Sequence, residues 1–431
     1  MIRILDGRDR ETQDIIYDLN RPSQLEYTDE RRIVCNILED IKNAGDEALL
    51  EYTNKFEGTQ FKDINEIVVS KAEMEKAYDL ISPKLLKTME LSAKNIRNYH
   101  KKQLQNSWVT FEKDGVMLGQ RITPLAKVGV YVPGGRASYP SSVLMNVIPA
   151  KVASVKDITM VTPPSADGQI DPAILVAASL AGVDKVYKIG GAQAIGALSY
   201  GTDTIKKVDK IVGPGNIYVT LAKKEVFGFV DIDMIAGPSE ILIIADETAN
   251  PSFIAADLLS QAEHDPMASS LLVTDSCKLA KEVKVELCSQ MEVLSTKKTI
   301  EASLSDYGCI IVVDNIVKAA DVANSIAPEH LEIMTSYPNE HLNLIENAGA
   351  IFIGSYSPEP VGDYMAGPNH VLPTSGTAKF YSPLGVDDFI KKSSIVRYTK
   401  DALFKTYEDI ALFARAEGFE AHARSVEVRF D

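Results

Sequence analysis

The chain has 431 residues, 45% of them hydrophobic and 24% charged, a globular balance with length for roughly three domains. Sixty acidic against 45 basic side chains leave a formal charge of −15, which excludes the basic footprint that nucleic-acid binding needs. No run reaches about 18 uninterrupted apolar residues, so no membrane span is predicted. The N-terminal MIRILDGRDR lacks the apolar core of a signal peptide, and Cys35, Cys277, Cys288 and Cys309 form no CxxC pair. These features predict a cytoplasmic protein with reduced, unbridged cysteines.

Residues 1–120 are predicted mainly helical. Ser82-Pro83 offers a cap and a first helical position, and Leu86, Met89, Ala93 and Ile96 follow at helical spacing. His100, like His341 further on, sits among charged helical residues and is predicted to be solvated. From residue 127 short apolar runs rich in β-branched residues alternate with helical stretches: KVGVYVP, DITMVTPP, KVYKIGG and KIVGPGN. After a break near DIDMIAGPSE the alternation resumes with EILIIAD, SSLLVTD, CIIVVD, LEIMT and AIFIG. The predicted fold class is α/β: two Rossmann-like, doubly wound parallel-sheet domains at 121–238 and 239–379. Such a pair is compatible with an internal duplication. The remaining 380–431 are predicted helical, without a strand.

Ligands in open parallel sheets collect at the carboxyl ends of strands. The Gly-rich segments VPGGRASYP, GGAQAIG and GPGNIYVT end strands here, and each leads to a helix N-terminus that favours phosphate. None is GxGxxG or a Walker A loop, and each serves equally well as a tight strand-to-helix turn.

Four of the six histidines stand in settings that suit chemistry. NPSFIAADLLSQAEHDP is predicted as a helix from Asn250-Pro251 to Asp265-Pro266, with Gln261 and His264 on the side of Phe253, Ile254 and Leu258. Polar groups on an inward face need partners, because unsatisfied burial costs about 1–3 kcal/mol. A metal supplies them; so does a core hydrogen-bond network. In TYEDIALFARAEGFEAHARS, Glu417 falls on the stripe of Ile410, Phe413 and Ala414, Gly418 stops the helix, and His422 follows. A helix-end glutamate with an exposed histidine fits that pattern equally. His370 lies in GDYMAGPNHVLPTSG, an irregular stretch of the kind that forms binding loops, in which Asp363 offers a hard oxygen ligand. Glu329 and His330 are adjacent in SIAPEHLEI, just before an apolar strand. A neutral imidazole beside a carboxylate can take a proton at physiological pH, although Glu-His pairs also occur on ordinary surfaces.

Taken together, VGVYVPGGRASYPSSVLM, GGAQAIGAL, GPGNIYVT, DMIAGPSEIL, SQAEHDP, IAPEHLEI, GDYMAGPNHVLPTSGTA and AEGFEAHARS resemble the histidinol dehydrogenase family, in the family's order. The likeness is dense from about residue 120 to the C-terminus and looser before it. It implies an NAD-dependent zinc enzyme that oxidises L-histidinol to L-histidine in two hydride transfers, through the aldehyde. It implies Gln261, His264, Asp363 and His422 as zinc ligands and Glu329 with His330 as the acid–base pair. Ser239, His370 and Glu417 would contact substrate beside the ligand set and His330, while Tyr131, Gln193 and Asn216 would line the NAD site. It further implies a homodimer in which the C-terminal segment crosses, so that Glu417 and His422 complete the other subunit's site. On the residues alone, a zinc-dependent hydrolase and a dinucleotide-binding regulatory protein compete with this reading. A dehydrogenase of another amino or sulfonated alcohol is the nearer alternative.

Overall fold

Strands buried on both faces are hydrophobic at nearly every position, which is why the nine apolar runs can be recognised in the sequence. All nine become strands of two parallel sheets in the computed structural model, which describes residues 2–19, 27–112, 115–134 and 138–431. The first sheet joins β4 (Lys127–Tyr131), β5 (Asp157–Thr162), β6 (Lys185–Lys188) and β7 (Lys210–Val212) with the short β8 (Asp231–Ile232). The second joins β9 (Glu240–Ala245), β10 (Ser269–Thr274), β11 (Cys309–Val312), β12 (His330–Met334) and β13 (Ala350–Ile353). Their orders are β6-β5-β4-β7-β8 and β11-β10-β9-β12-β13, and every neighbour within each is parallel. Counted from its own first strand, each sheet runs third-second-first-fourth-fifth, so the two blocks share one winding.

Four strands lie wholly or partly where helix was predicted. β1 (Arg3–Asp6) extends the second sheet beside β11, so the N-terminal region is not all helical. β2 (Trp108–Phe111), β3 (Val116–Pro124) and β14 (Ile390–Tyr398) form a separate antiparallel sheet, and β14 pairs with β3 along its whole length. The expectation of no strand after residue 380 is therefore corrected. The reason is local: IKKSSIVRY has no fully buried position, so its sequence carries no inward period.

The predicted helix after Ser82 is present as Pro83–His100, with Ser82 Oγ accepting from Leu85 N at 3.1 Å and Met89, Ala93 and Ile96 buried. Its last residue corrects another expectation. His100 is fully buried, with Nδ1 2.7 Å from Gln103 Oε1, and burial lowers its pKa. The C-terminal helices Tyr407–Ala416 and Glu420–Glu427 pack against each other, yet Leu412 and Phe413 are each 70% exposed. No helix among the described residues is long and apolar enough to cross a membrane.

In each sheet the strand order reverses beside the first strand, and a crevice opens there at the carboxyl ends. In the first sheet Gly213 follows β7 at φ +112°, and any Cβ there would overlap the carbonyl oxygen of Tyr131. Only glycine permits this close approach of the loops after β4 and β7. A buried ion pair of Lys223 with Asp233 holds the same loop, Lys223 donating to Gly213 O at 3.0 Å and Asp233 Oδ2 accepting from Gly213 N at 2.7 Å. In the second sheet the crevice is filled by the protein itself. The Asp246 carboxylate accepts from Thr248 N, Thr248 Oγ1, Ser336 N and Ser336 Oγ at 2.5–3.0 Å.

Candidate active site

The Glu329-His330 pair lies at the opposite, amino end of the second sheet, a departure from the carboxyl-end expectation. The helix Ile316–Ile326 closes on Ala327 in a left-handed conformation at φ +52°, and three residues later the chain enters β12 at His330. Both side chains are buried. Glu329 Oε2 accepts from Glu240 N at 2.8 Å, and His330 Nδ1 lies 3.1 Å from Glu240 O. A carbonyl only accepts, so Nδ1 carries the hydrogen and Nε2 keeps its lone pair. Nε2 has no hydrogen-bond partner among the described residues and stands 4.0 Å from Glu359 Oε1. Burial pushes the His330 pKa down to about 3, against the Glu240 carbonyl, which favours the protonated ring. The imidazole is thus neutral and aimed inward. Burial also raises the Glu329 carboxyl well above its usual range, opposed by the Glu240 N–H.

Further acids extend from this pair. Glu332 lies two residues along β12 from His330, and its Oε1 accepts from Glu359 N at 2.9 Å. Its carboxyl also hydrogen-bonds Asp257, so that pair holds at least one proton. Glu359 in turn meets Asp363, whose Oδ1 lies 3.6 Å from His370 Nδ1. Burial pushes Asp257 and Asp363 to about 6 and Glu359 to about 8, and it lowers His370 to about 4. The charged groups acting on these carboxyls are other carboxyls and His264, with no lysine or arginine among them. Buried acids without a nearby cation are costly, and a bound metal ion relieves that cost.

Among the described residues, His330, Glu359 and Asp363 each offer a ligand atom, all within 4.8 Å of one another. Gln261 belongs with them by a different sign. It is the penultimate residue of the helix Pro251–Ala262 at 1% exposure, and neither amide atom has a partner among the described residues. That helix ends earlier than predicted, so His264 stands in the exposed turn beyond it and Phe253 is 38% exposed. His264 still lies near the cluster, close enough to act electrostatically on His330, Glu359 and His370. Ser239 is half-buried directly before Glu240. Asn369 fixes the His370 loop, donating to Met145 O at 2.8 Å and accepting from Val371 N at 2.9 Å.

Glu417 and His422 are not part of this group within one chain. Both are exposed, Glu417 at the end of one C-terminal helix and His422 on the next.

Across an open cavity of about 1370 Å³, which reaches from His330, Asp363 and His370 to Lys210 and Asp233, lies the first sheet. Tyr131 ends β4, buried, with its hydroxyl accepting from Gly191 N at 3.2 Å. Gln193, on the first turn of the helix Gly191–Tyr200, is 0% exposed, and both its amide atoms lack partners among the described residues. Asn216 caps the helix Ile217–Val226, accepting from Tyr218 N at 3.1 Å and Val219 N at 3.2 Å. Of the segment VPGGRASYP, residues 135–137 fall outside the described residues.

Glu359, Glu332 and Asp257 are site residues that sequence reasoning missed. Two carried a usable signal. Glu359 precedes Asp363 by four residues, a spacing that sets both on one side of a helical turn. Glu332 is an acid inside an otherwise apolar strand, where an unpaired charge is rarely tolerated.

A sequence profile of histidinol dehydrogenase matches residues 20–430. The histidinol dehydrogenase of Bacillus subtilis (strain 168) is 58% identical over 401 residues, 93% of each chain. That of Clostridium acetobutylicum is 54% identical over 430 residues, covering 100% of this chain and 99% of its own. The crystal structure of the histidinol dehydrogenase of Elizabethkingia anophelis superposes with a TM-score of 0.94 at 40% identity, covering 100% of this chain and 98% of that one. Identity of this extent over the full length, with the same tertiary structure, makes the chain an oxidoreductase of the histidinol dehydrogenase family.

Proposed function

We propose that this protein oxidises L-histidinol to L-histidine by way of bound L-histidinal, with NAD as oxidant and one zinc ion in the site. The observation that carries the reading is the neutral, inward-facing Nε2 of His330 beside buried acids and the unpartnered amide of Gln261. Gln261, His264 and Asp363 would hold the ion, with His422 supplied by a second copy of the chain. When bound, zinc would orient a substrate bearing imidazole and amine nitrogens, and NAD would accept one hydride in each oxidation. His330 takes the hydroxyl proton in each oxidation, and Glu329 activates the water that hydrates the aldehyde between them. Ser239, His370 and Glu417 contact substrate; Tyr131, Gln193 and Asn216 line the dinucleotide side. The close approach at Gly213 and the unpartnered amide of Gln193 suit a ligand there. On this reading 121–238 and 239–379 are two Rossmann-like domains, flanked by the mainly helical 1–120 and by 380–431. Purified protein given L-histidinol and NAD should form two NADH per histidine, with turnover lost to a strong chelator and restored by zinc. Absence of NADH would refute the reading and favour a dehydrogenase of another amino or sulfonated alcohol.

The same reading makes the enzyme a homodimer with shared sites, in keeping with the exposed Leu412 and Phe413 beside the outlying Glu417 and His422. Mixing inactive Glu329→Ala and His422→Ala proteins should then restore activity. Half the dimers are mixed at equal input, and one of their two sites is intact, so about a quarter of wild-type activity is expected. No recovery after confirmed subunit exchange would show that each chain completes its own site.

A further inference from the structure

The first sheet's crevice holds a carboxylate that the proposed reaction leaves unused. Glu57 is the last residue of the helix Asp46–Glu57, a helix outside the parallel sheet whose end returns to the carboxyl edge of β5 and β6. A Cβ added to Gly190 would lie 2.6 Å from Glu57 Oε1 and 2.7 Å from Cβ of Pro163, the residue after β5. The glycine therefore opens the room that the carboxylate occupies. Glu57 is half-buried, and burial alone lifts its pKa to about 7. It also sits near enough to Tyr131 to act on that hydroxyl.

A purely structural role explains this badly. A carboxylate at a helix C-terminus opposes the macrodipole, where lysine or arginine would be stabilising. Half-burial adds to the cost, with no cation beside the carboxylate among the described residues.

Other polar groups at this place also lack partners among the described residues. Gln193 is fully buried with both amide atoms free, and its Oε1 would lie 2.5 Å from a Cβ on Gly191, so the amide folds back over the helix N-terminus. Thr162, at the end of β5, has a buried hydroxyl without a partner. In dinucleotide-binding sheets of this winding, the acid that accepts ribose hydroxyls follows the second strand. Here the second strand, β5, ends in Thr162-Pro163-Pro164 with no acid, and Glu57 brings a carboxylate to that place from another element.

We propose that Glu57 accepts the hydroxyls of the adenosine ribose of NAD and thereby selects against a 2′-phosphate. The inference rests on the dinucleotide reading above. A carboxylate accepts from both hydroxyls of a ribose, whereas a 2′-phosphate would set a second anion against it. The test is equilibrium binding of NADH and NADPH to the purified enzyme without substrate, followed by cofactor fluorescence. Wild-type protein is expected to prefer NADH. Glu57→Gln, nearly isosteric, should weaken NADH binding by about 10–100-fold while NADPH binding holds or improves, so the ratio collapses. Glu57→Asp, with its carboxylate drawn back, should weaken NADH yet keep the preference. Equal weakening of both cofactors by Glu57→Gln, or no change in their ratio, would overturn the proposal. Wild-type protein that binds neither cofactor would instead bring down the dinucleotide reading itself.

Discussion

Replacing His330 by alanine is expected to lower kcat about 10²–10⁴-fold, the usual worth of a positioned general base. The expectation rests on a protonation state that the fold imposes. The Glu240 carbonyl, 3.1 Å from Nδ1, fixes the tautomer, and burial keeps the ring neutral. Nε2 is then the one ring atom able to take a proton, and it points toward Glu359 and the acid cluster. Deleting a buried ring can also weaken packing, so His330→Asn is the companion variant. Its amide nitrogen can still donate toward the Glu240 carbonyl, but it offers no comparable base. Both variants should show the loss in kcat with a thermal transition near that of the wild type for His330→Asn. Near-normal turnover in either would remove His330 from the role.

Glu329→Gln is expected to divide the two oxidations. Glutamine keeps an oxygen that can accept from Glu240 N, the contact made at 2.8 Å in the structure, so the fold around β9 and β12 should persist. What is lost is a buried carboxyl, its pKa raised by burial, that can exchange a proton with water. In the proposed reaction that carboxyl serves water addition to the aldehyde. Oxidation of L-histidinal should therefore fall about 10²–10⁴-fold, while the first hydride transfer from L-histidinol falls less than about tenfold. Single-turnover rates with each compound make the comparison. Equal slowing of both steps would contradict the division of labour and assign Glu329 to holding His330.

Several features could be read from the chain because their causes are local. Ser82 and Asn250 cap helices through hydrogen bonds spanning two or three residues, and both caps are present. The nine strands stand out because each carries a short run of apolar, largely β-branched residues. β14 was hidden for the converse reason, since a strand exposed on both faces looks like any polar segment. His100 misled in a similar way. Its neighbours Arg97, Lys101 and Lys102 are charged, but a helix turns each residue to a different side, and only the histidine faces Gln103 and Asn369. The filled crevice at Asp246 likewise had no sufficient local sign, because Ser336, which makes two of its four hydrogen bonds, comes from the end of another strand, 90 residues away.

By itself the sequence determined two parallel sheets and the place of Glu329 and His330 before an apolar strand, because hydrophobic period and capping act within a few residues. Tertiary structure decided the chemistry of that pair. The carbonyl that sets the His330 tautomer is 90 residues away, and Glu359 and Asp363 arrive from a later turn. Proton affinity depends on burial and on neighbouring charge, and neither exists until distant segments pack together.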